Sequence, residues 1–153
     1  MGERNWRLLK LLTDKIPERA GCGWTPVFDY LTPGKMYRLQ VPARDATGAT
    51  KADQTWEPES AGSCTADGNP ATDRGTGLLL ASAAVGALIA KIGGSTADLT
   101  VDKDKAVLFA VGRHCVFTVD PAKGGTLYLG VNDSAGSIFH VKGQLTVELW
   151  EAL

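Results

Sequence analysis

The clearest hydrophobic pattern in the chain lies in residues 125–149, GTLYLGVNDSAGSIFHVKGQLTVEL. Leu127, Leu129 and Val131 alternate there with Thr126, Tyr128 and Gly130. Near the end Leu145, Val147 and Leu149 alternate with Thr146, Glu148 and Trp150. A period of two predicts strands with one buried face. Between the two runs, Asn132, Asp133, Ser134, Gly136 and Ser137 crowd turn-formers and polar oxygens into one short loop. The pattern predicts two core strands holding a polar loop at a sheet rim, where binding sites often sit.

The rest of the chain reads as short strands and turns. Residues 5–12 are apolar with Arg7 and Lys10 interleaved, a pattern open to a short helix or an edge strand. Residues 24–30 start a strand that Pro26 assigns to an edge. Residues 31–34, Leu-Thr-Pro-Gly, form a turn signal, and the alternation in 35–41 after it predicts a hairpin-like pair. Residues 43–76 are poor in aliphatic side chains, with Trp56 as their one large anchor; a loop this long in a compact domain is usually functional or mobile. The greasy run 77–94 is too short and too interrupted, by Lys91, to span a membrane. Periodicity leaves it open to a buried helix, but its Gly and Ala content favours two strands joined by a bend. Residues 98–101 suit a short strand and 102–105 a charged turn, with further strands at 106–111 and 113–119 split by Gly112. Short strands at hairpin spacing predict an all-β, antiparallel, jelly-roll-like β-sandwich.

Composition narrows the function. A chain of 153 residues with 44% hydrophobic content is long enough for one domain with a proper core. A net charge of −1 offers no electrostatic case for nucleic acid or an anionic membrane. Cys22, Cys64 and Cys115 are odd in number and lack metal-ligand spacing, which points to free thiols in a reducing compartment. The start, MGERNWRLLKLL, has no apolar core of signal-peptide length, so cytoplasmic residence or non-conventional export is expected.

Catalytic motifs do not show. His114 and Cys115 are neighbours in a predicted strand, where adjacent side chains point apart, so they make no nucleophile–base pair. No GxSxG elbow, Walker loop or dinucleotide glycine string occurs. The chain is therefore read as a non-enzyme. The loop of Asn132, Asp133 and Ser137 is better suited to recognition, since its hard oxygens suit calcium and sugar hydroxyls alike. By composition alone a plain turn, held by Asn and Asp bonding their own backbone, fits it at least as well.

Four segments in order shift that balance: VGALIAKIGG (85–94), FAVG (109–112), GTLYLGVND (125–133) and KGQLTVEL (142–149). Together they resemble the bacterial galactophilic lectins of the PA-I type. Those have a GAL-x-x-KIG strand, a later strand ending in Asn-Asp, and a closing strand introduced by Gly-Ser. TPGKMYRLQV (32–41) and Trp56 fall where that family has a PGD-type hairpin and a Trp. The resemblance covers residues 24–150, leaving 1–22 as a divergent N-terminal segment of a single lectin-like domain, 1–153.

The resemblance implies a small jelly-roll sandwich, often a homo-oligomer, in which calcium bridges protein and sugar. It places Asp133 at the aspartate that ligates calcium and contacts the sugar. Ser137 falls on a Thr whose backbone carbonyl ligates the metal, and Thr50 near another carbonyl ligand. The family's adjacent Asn pair falls on His140 and Val141, neither suited to a hard cation. Asp67, Asn69 and Asp73 stand in the loop that holds the family's sugar-contacting His and Gln. The expectation is a galactoside-type carbohydrate-binding module with weakened or absent calcium dependence. Its site would lie between the Asp133 loop and the Asp67 region, with Asn132 and Ser137 orienting the ring or the loop and Trp56 or His140 as a wall. The alternative is a structural or interaction sandwich that has lost the sugar.

Overall fold

The computed structural model describes residues 5–17, 23–43, 53–70, 77–95 and 106–153. Thr50, Asp73, Cys22 and the segments 98–101 and 102–105 lie outside the described residues. Within them the chain is all-β, and every ladder is antiparallel. The strands are β1 (Trp6–Ile16), β2 (Thr25–Leu31), β3 (Met36–Gln40), β4 (Glu57–Pro58), β5 (Leu88–Gly93), β6 (Ala106–Ala110), β7 (His114–Thr118), β8 (Gly125–Val131), β9 (Val141–Lys142) and β10 (Leu145–Ala152). One four-stranded sheet runs β1-β10-β3-β7, a second runs β2-β8-β5-β6, and β4 and β9 form a small ribbon. No helix among the described residues is long and apolar enough to cross a membrane.

The two sheets share one core. Leu145, Val147 and Leu149 of β10 and Tyr37 and Leu39 of β3 meet Leu127, Leu129 and Val131 of β8 and Leu88, Ala90 and Ile92 of β5. Those of β3, β8 and β10 are the residues that alternation put on one face, and burying each large aliphatic side chain favours folding by about 1.5–3 kcal/mol. β10 keeps its other face half-exposed, as predicted. β8 does not: Tyr128 and Gly130 are buried too. The reason is its position between β2 and β5, under a second cluster of Trp24, Ile89 and Tyr128. Trp24 lies so close that a Cβ on Gly130 would come within 2.9 Å of its ring. Lys91 is wholly buried on that side, its Nζ 4.8 Å from the ring centroids of both Trp24 and Tyr128. It also donates to the Ser95 carbonyl at 2.5 Å.

Two expectations need correction, and one left open is resolved. β2 and β3 are not a hairpin, because they belong to different sheets. The turn between them, closed by Lys35 N–H to the Thr32 carbonyl (3.1 Å) with Gly34 at φ 80, hands the chain from one layer to the other. Gly112, at φ 64, does the same between β6 and β7. The greasy run 77–94 holds one strand, β5, preceded by turns rather than by a second strand. The open reading of residues 5–12 resolves to an edge strand, β1, which among the described residues pairs with β10 alone.

Cys64 is buried and Cys115 half-buried, both as free thiols. Burial pushes each thiol above its ordinary range; a Trp56 contact partly offsets this at Cys64. A raised folded-state value favours the neutral thiol. The associated stability is fully present below the unfolded thiol's value of about 8.5 and lost as pH rises through the folded one. Both thiols are expected to react with Ellman's reagent at pH 8 at least tenfold more slowly than in urea-unfolded chain. Equal rates would show that they are open to solvent.

Candidate functional site

The polar loop after β8 is built into the scaffold. Asn132 is completely buried. Its amide nitrogen donates to the carbonyls of Leu80 (2.9 Å), Ala83 (3.2 Å) and Ala84 (3.1 Å), and its Oδ1 accepts from Leu80 N–H (2.9 Å). This single side chain gathers the turns of 80–84, which explains why the apolar residues there do not extend into a strand. Asp133 is 1% exposed. Its Oδ1 accepts from Ser134 N–H (2.8 Å) and its Oδ2 from Ser60 N–H (3.2 Å). The carboxylate therefore ties the β8 loop to the turn after β4.

Next in the chain to that turn, Glu57, Pro58, Glu59 and Gly62 line a cleft of about 710 Å³ together with Phe139, His140, Val141 and Lys142. Ser137 N–H bonds to the Ser134 carbonyl (2.9 Å) and His140 N–H to the Ser137 carbonyl (3.0 Å), coiling the loop before β9. Ile138 plugs the core, leaving Phe139 and His140 toward the cleft. Glu59 N–H bonds to the His140 carbonyl (3.0 Å), and β4 pairs Glu57 with Lys142 and Pro58 with Val141. Alternation about buried Pro58 puts Glu57 and Glu59 on one side. Glu57, Glu59, His140 and Lys142 thus surround an apolar patch of Pro58 and Phe139. Glu57 and Lys142 oppose each other across the ribbon, yet among the described residues neither closes an ion pair. Acceptors and donors both remain open to a ligand.

Neither a family model nor a curated protein sequence matches the chain.

Of the residues expected at the site, His140 alone lines this cleft; Asp133 and Ser137 are not among its lining residues, and bond to the backbone of the loops beside it. Asn132 and Trp56 are core residues. The Trp56 indole N–H bonds to the Gly86 carbonyl at 3.0 Å, and the ring is 2% exposed, so it walls no groove. Asn69 is a strut, its amide donating to the Ala61 carbonyl (2.9 Å). Asp67 belongs to a second cleft of about 430 Å³ that shares no lining residue with the first. There it accepts from Arg113 Nε (2.6 Å) and Arg113 N–H (2.8 Å), while Arg113 Nη1 bonds Asp53 (2.6 Å). Asp67, then Asp53, hold the Arg113 guanidinium still further in its charged form. The site expected between the Asp133 loop and Asp67 is not assembled.

At the positions the resemblance gives to calcium, the oxygens already accept bonds from the protein, and one position has none to offer. Both Asp133 oxygens cap backbone amides, the Ser137 carbonyl serves His140 N–H, and Val141 has no side-chain donor. Among the described residues no three His, Cys, Asp or Glu side chains converge as a metal site. Sequence reasoning missed Glu57, Glu59, Phe139 and Lys142. The E-P-E alternation was the available signal, but nothing local told which strand it would face.

Proposed function

We propose that the chain is a carbohydrate-binding, lectin-like module on a jelly-roll-like sandwich, taking a galactoside-type sugar in the β4–β9 cleft without calcium. The observation that carries this reading is the pair Glu57 and Lys142, opposed across the ribbon and without an ion pair among the described residues, beside the apolar patch of Pro58 and Phe139. A pyranose has the matching form, a C–H face for the ring of Phe139 and a rim of hydroxyls for charged acceptors and donors. The ordered motifs shared with galactophilic lectins support the same class.

Isothermal titration with galactosides tests it. Heat of binding is expected to be the same with added calcium and with chelator. Lys142→Ala and Glu57→Gln should each weaken binding about tenfold, since a hydrogen bond to a charged group contributes about 1.5–3 kcal/mol. Heat only when calcium is present would refute the metal-free cleft. Scaffolding of Asn132 and Asp133 favours a second reading, a sandwich that serves oligomerisation or docking. Silence on a glycan array together with a stable homo-oligomer in solution would select it.

A further inference from the structure

The outward face of the β1-β10-β3-β7 sheet carries a feature the cleft does not explain. Arg38 is held between two indoles, its guanidinium carbon 5.0 Å from the Trp6 ring centroid and 4.8 Å from that of Trp150. Trp150 is steadied in turn by Glu148, which accepts its indole N–H at 3.3 Å. Arg38 Nε is buried without a hydrogen-bond partner, and among the described residues the guanidinium forms no ion pair. A guanidinium normally finds an acceptor, and an orphaned donor calls for a reason. Both ring centroids lie within 5.0 Å of the guanidinium carbon, and with Nε buried it is the terminal nitrogens that a ligand would reach.

We infer that this sheet face is a second binding site, for a carboxylate-bearing saccharide, with Arg38 as its anchor. A planar guanidinium flanked by two indoles can take a carboxylate at its two terminal nitrogens through parallel N–H···O bonds. The register puts Leu8, Trp150, Arg38 and Val116 in one row across the four strands. At ordinary strand spacing that row is about 14 Å long. Leu8 and Val116 at its ends are 42% and 46% exposed, apolar surface for the C–H faces of neighbouring sugar units. Gln40, Glu148 and His114 form the adjacent row and offer hydrogen bonds to hydroxyls. A peptide added as a strand is disfavoured on this face, because β10 and β3 are paired on both sides and offer no free backbone ladder. The inference is independent of the cleft.

Titration with trimannuronate, followed by tryptophan fluorescence and calorimetry, tests it. The acid trisaccharide should bind and change the emission, and its methyl ester should bind at least tenfold more weakly. Arg38→Gln and Arg38→Lys should each weaken binding at least tenfold; the lysine keeps the charge but loses the fork. Arg38→Gln should leave any galactoside heat unchanged, and Lys142→Ala should leave trimannuronate binding unchanged, which separates this site from the cleft. The inference is overturned if trimannuronate does not bind, if acid and ester bind alike, or if Arg38→Lys binds as the parent does. A glutamate-rich peptide of equal charge binding as tightly as the sugar would also overturn it.

Discussion

Asn132→Ala is expected to lower folding stability by about 3–4 kcal/mol, a large share of the 5–15 kcal/mol typical of a domain. The side chain is wholly buried and serves four backbone groups on 80–84 at once. Its amide has two hydrogens for three carbonyls, so one bond is shared. Truncation strips partners from Leu80 N–H and from those carbonyls, and each buried polar group left unsatisfied costs about 1–3 kcal/mol. The loop relaxes enough to hydrate some of them, which keeps the sum below four full penalties. For a chain of this length the melting temperature should fall by roughly 10 °C. Asn132→Asp should be no better, since a carboxylate cannot donate to three carbonyls. Urea unfolding checks both: an unfolding free energy within about 1 kcal/mol of the parent's would show that Asn132 does not hold the rim.

Gly86→Ala is expected to cost about 3 kcal/mol for two separable reasons. Gly86 sits at φ 83, where an L side chain costs about 1–2 kcal/mol. Its added Cβ would also lie 2.5 Å from Ala61 Cβ and 3.0 Å from Cys64 Sγ, and overpacking of that kind costs about 1–3 kcal/mol. The Gly86 carbonyl is the acceptor for the Trp56 indole, and its N–H bonds to the Asn132 carbonyl (2.7 Å), so a shift there disturbs both anchors of the rim. Gly136→Ala is the control: nothing lies within 4 Å of its added Cβ, and a change within about 0.5 kcal/mol is expected. Equal melting temperatures for the two variants would remove the argument.

Much of the strand pattern could be read in advance because it depends on local alternation. β8 and β10 declared their core faces, and Pro26 marked β2 as an edge. The turns at Gly34 and Gly112 were also legible, but not that each changes sheets. A turn motif fixes local dihedrals and leaves the layer of the next strand to tertiary packing. Residues 78–84 read as strand because apolar content was the only signal; their fold is set by a side chain 48 to 52 positions away. The same limit hid the candidate site. Asp133 was singled out for its place in an oxygen-rich loop and for the resemblance, yet it accepts from the amides of Ser134 and of distant Ser60. Glu57 and Lys142 acquire meaning only from a two-residue ribbon that joins segments far apart in the chain.

The strand order has a kinetic consequence. β10, the last strand, lies between β1 and β3, so the earliest and latest segments of the sheet meet directly, down to a bond from Leu153 N–H to the Asn5 carbonyl (2.9 Å). During synthesis β1 and one margin of β3 wait without their β10 partner until β10 itself has left the ribosome. Such distant pairing ranks among the slow folding topologies, in the millisecond-to-second range. For that interval the nascent chain presents two unfilled ladders, and chaperone occupancy should matter most there.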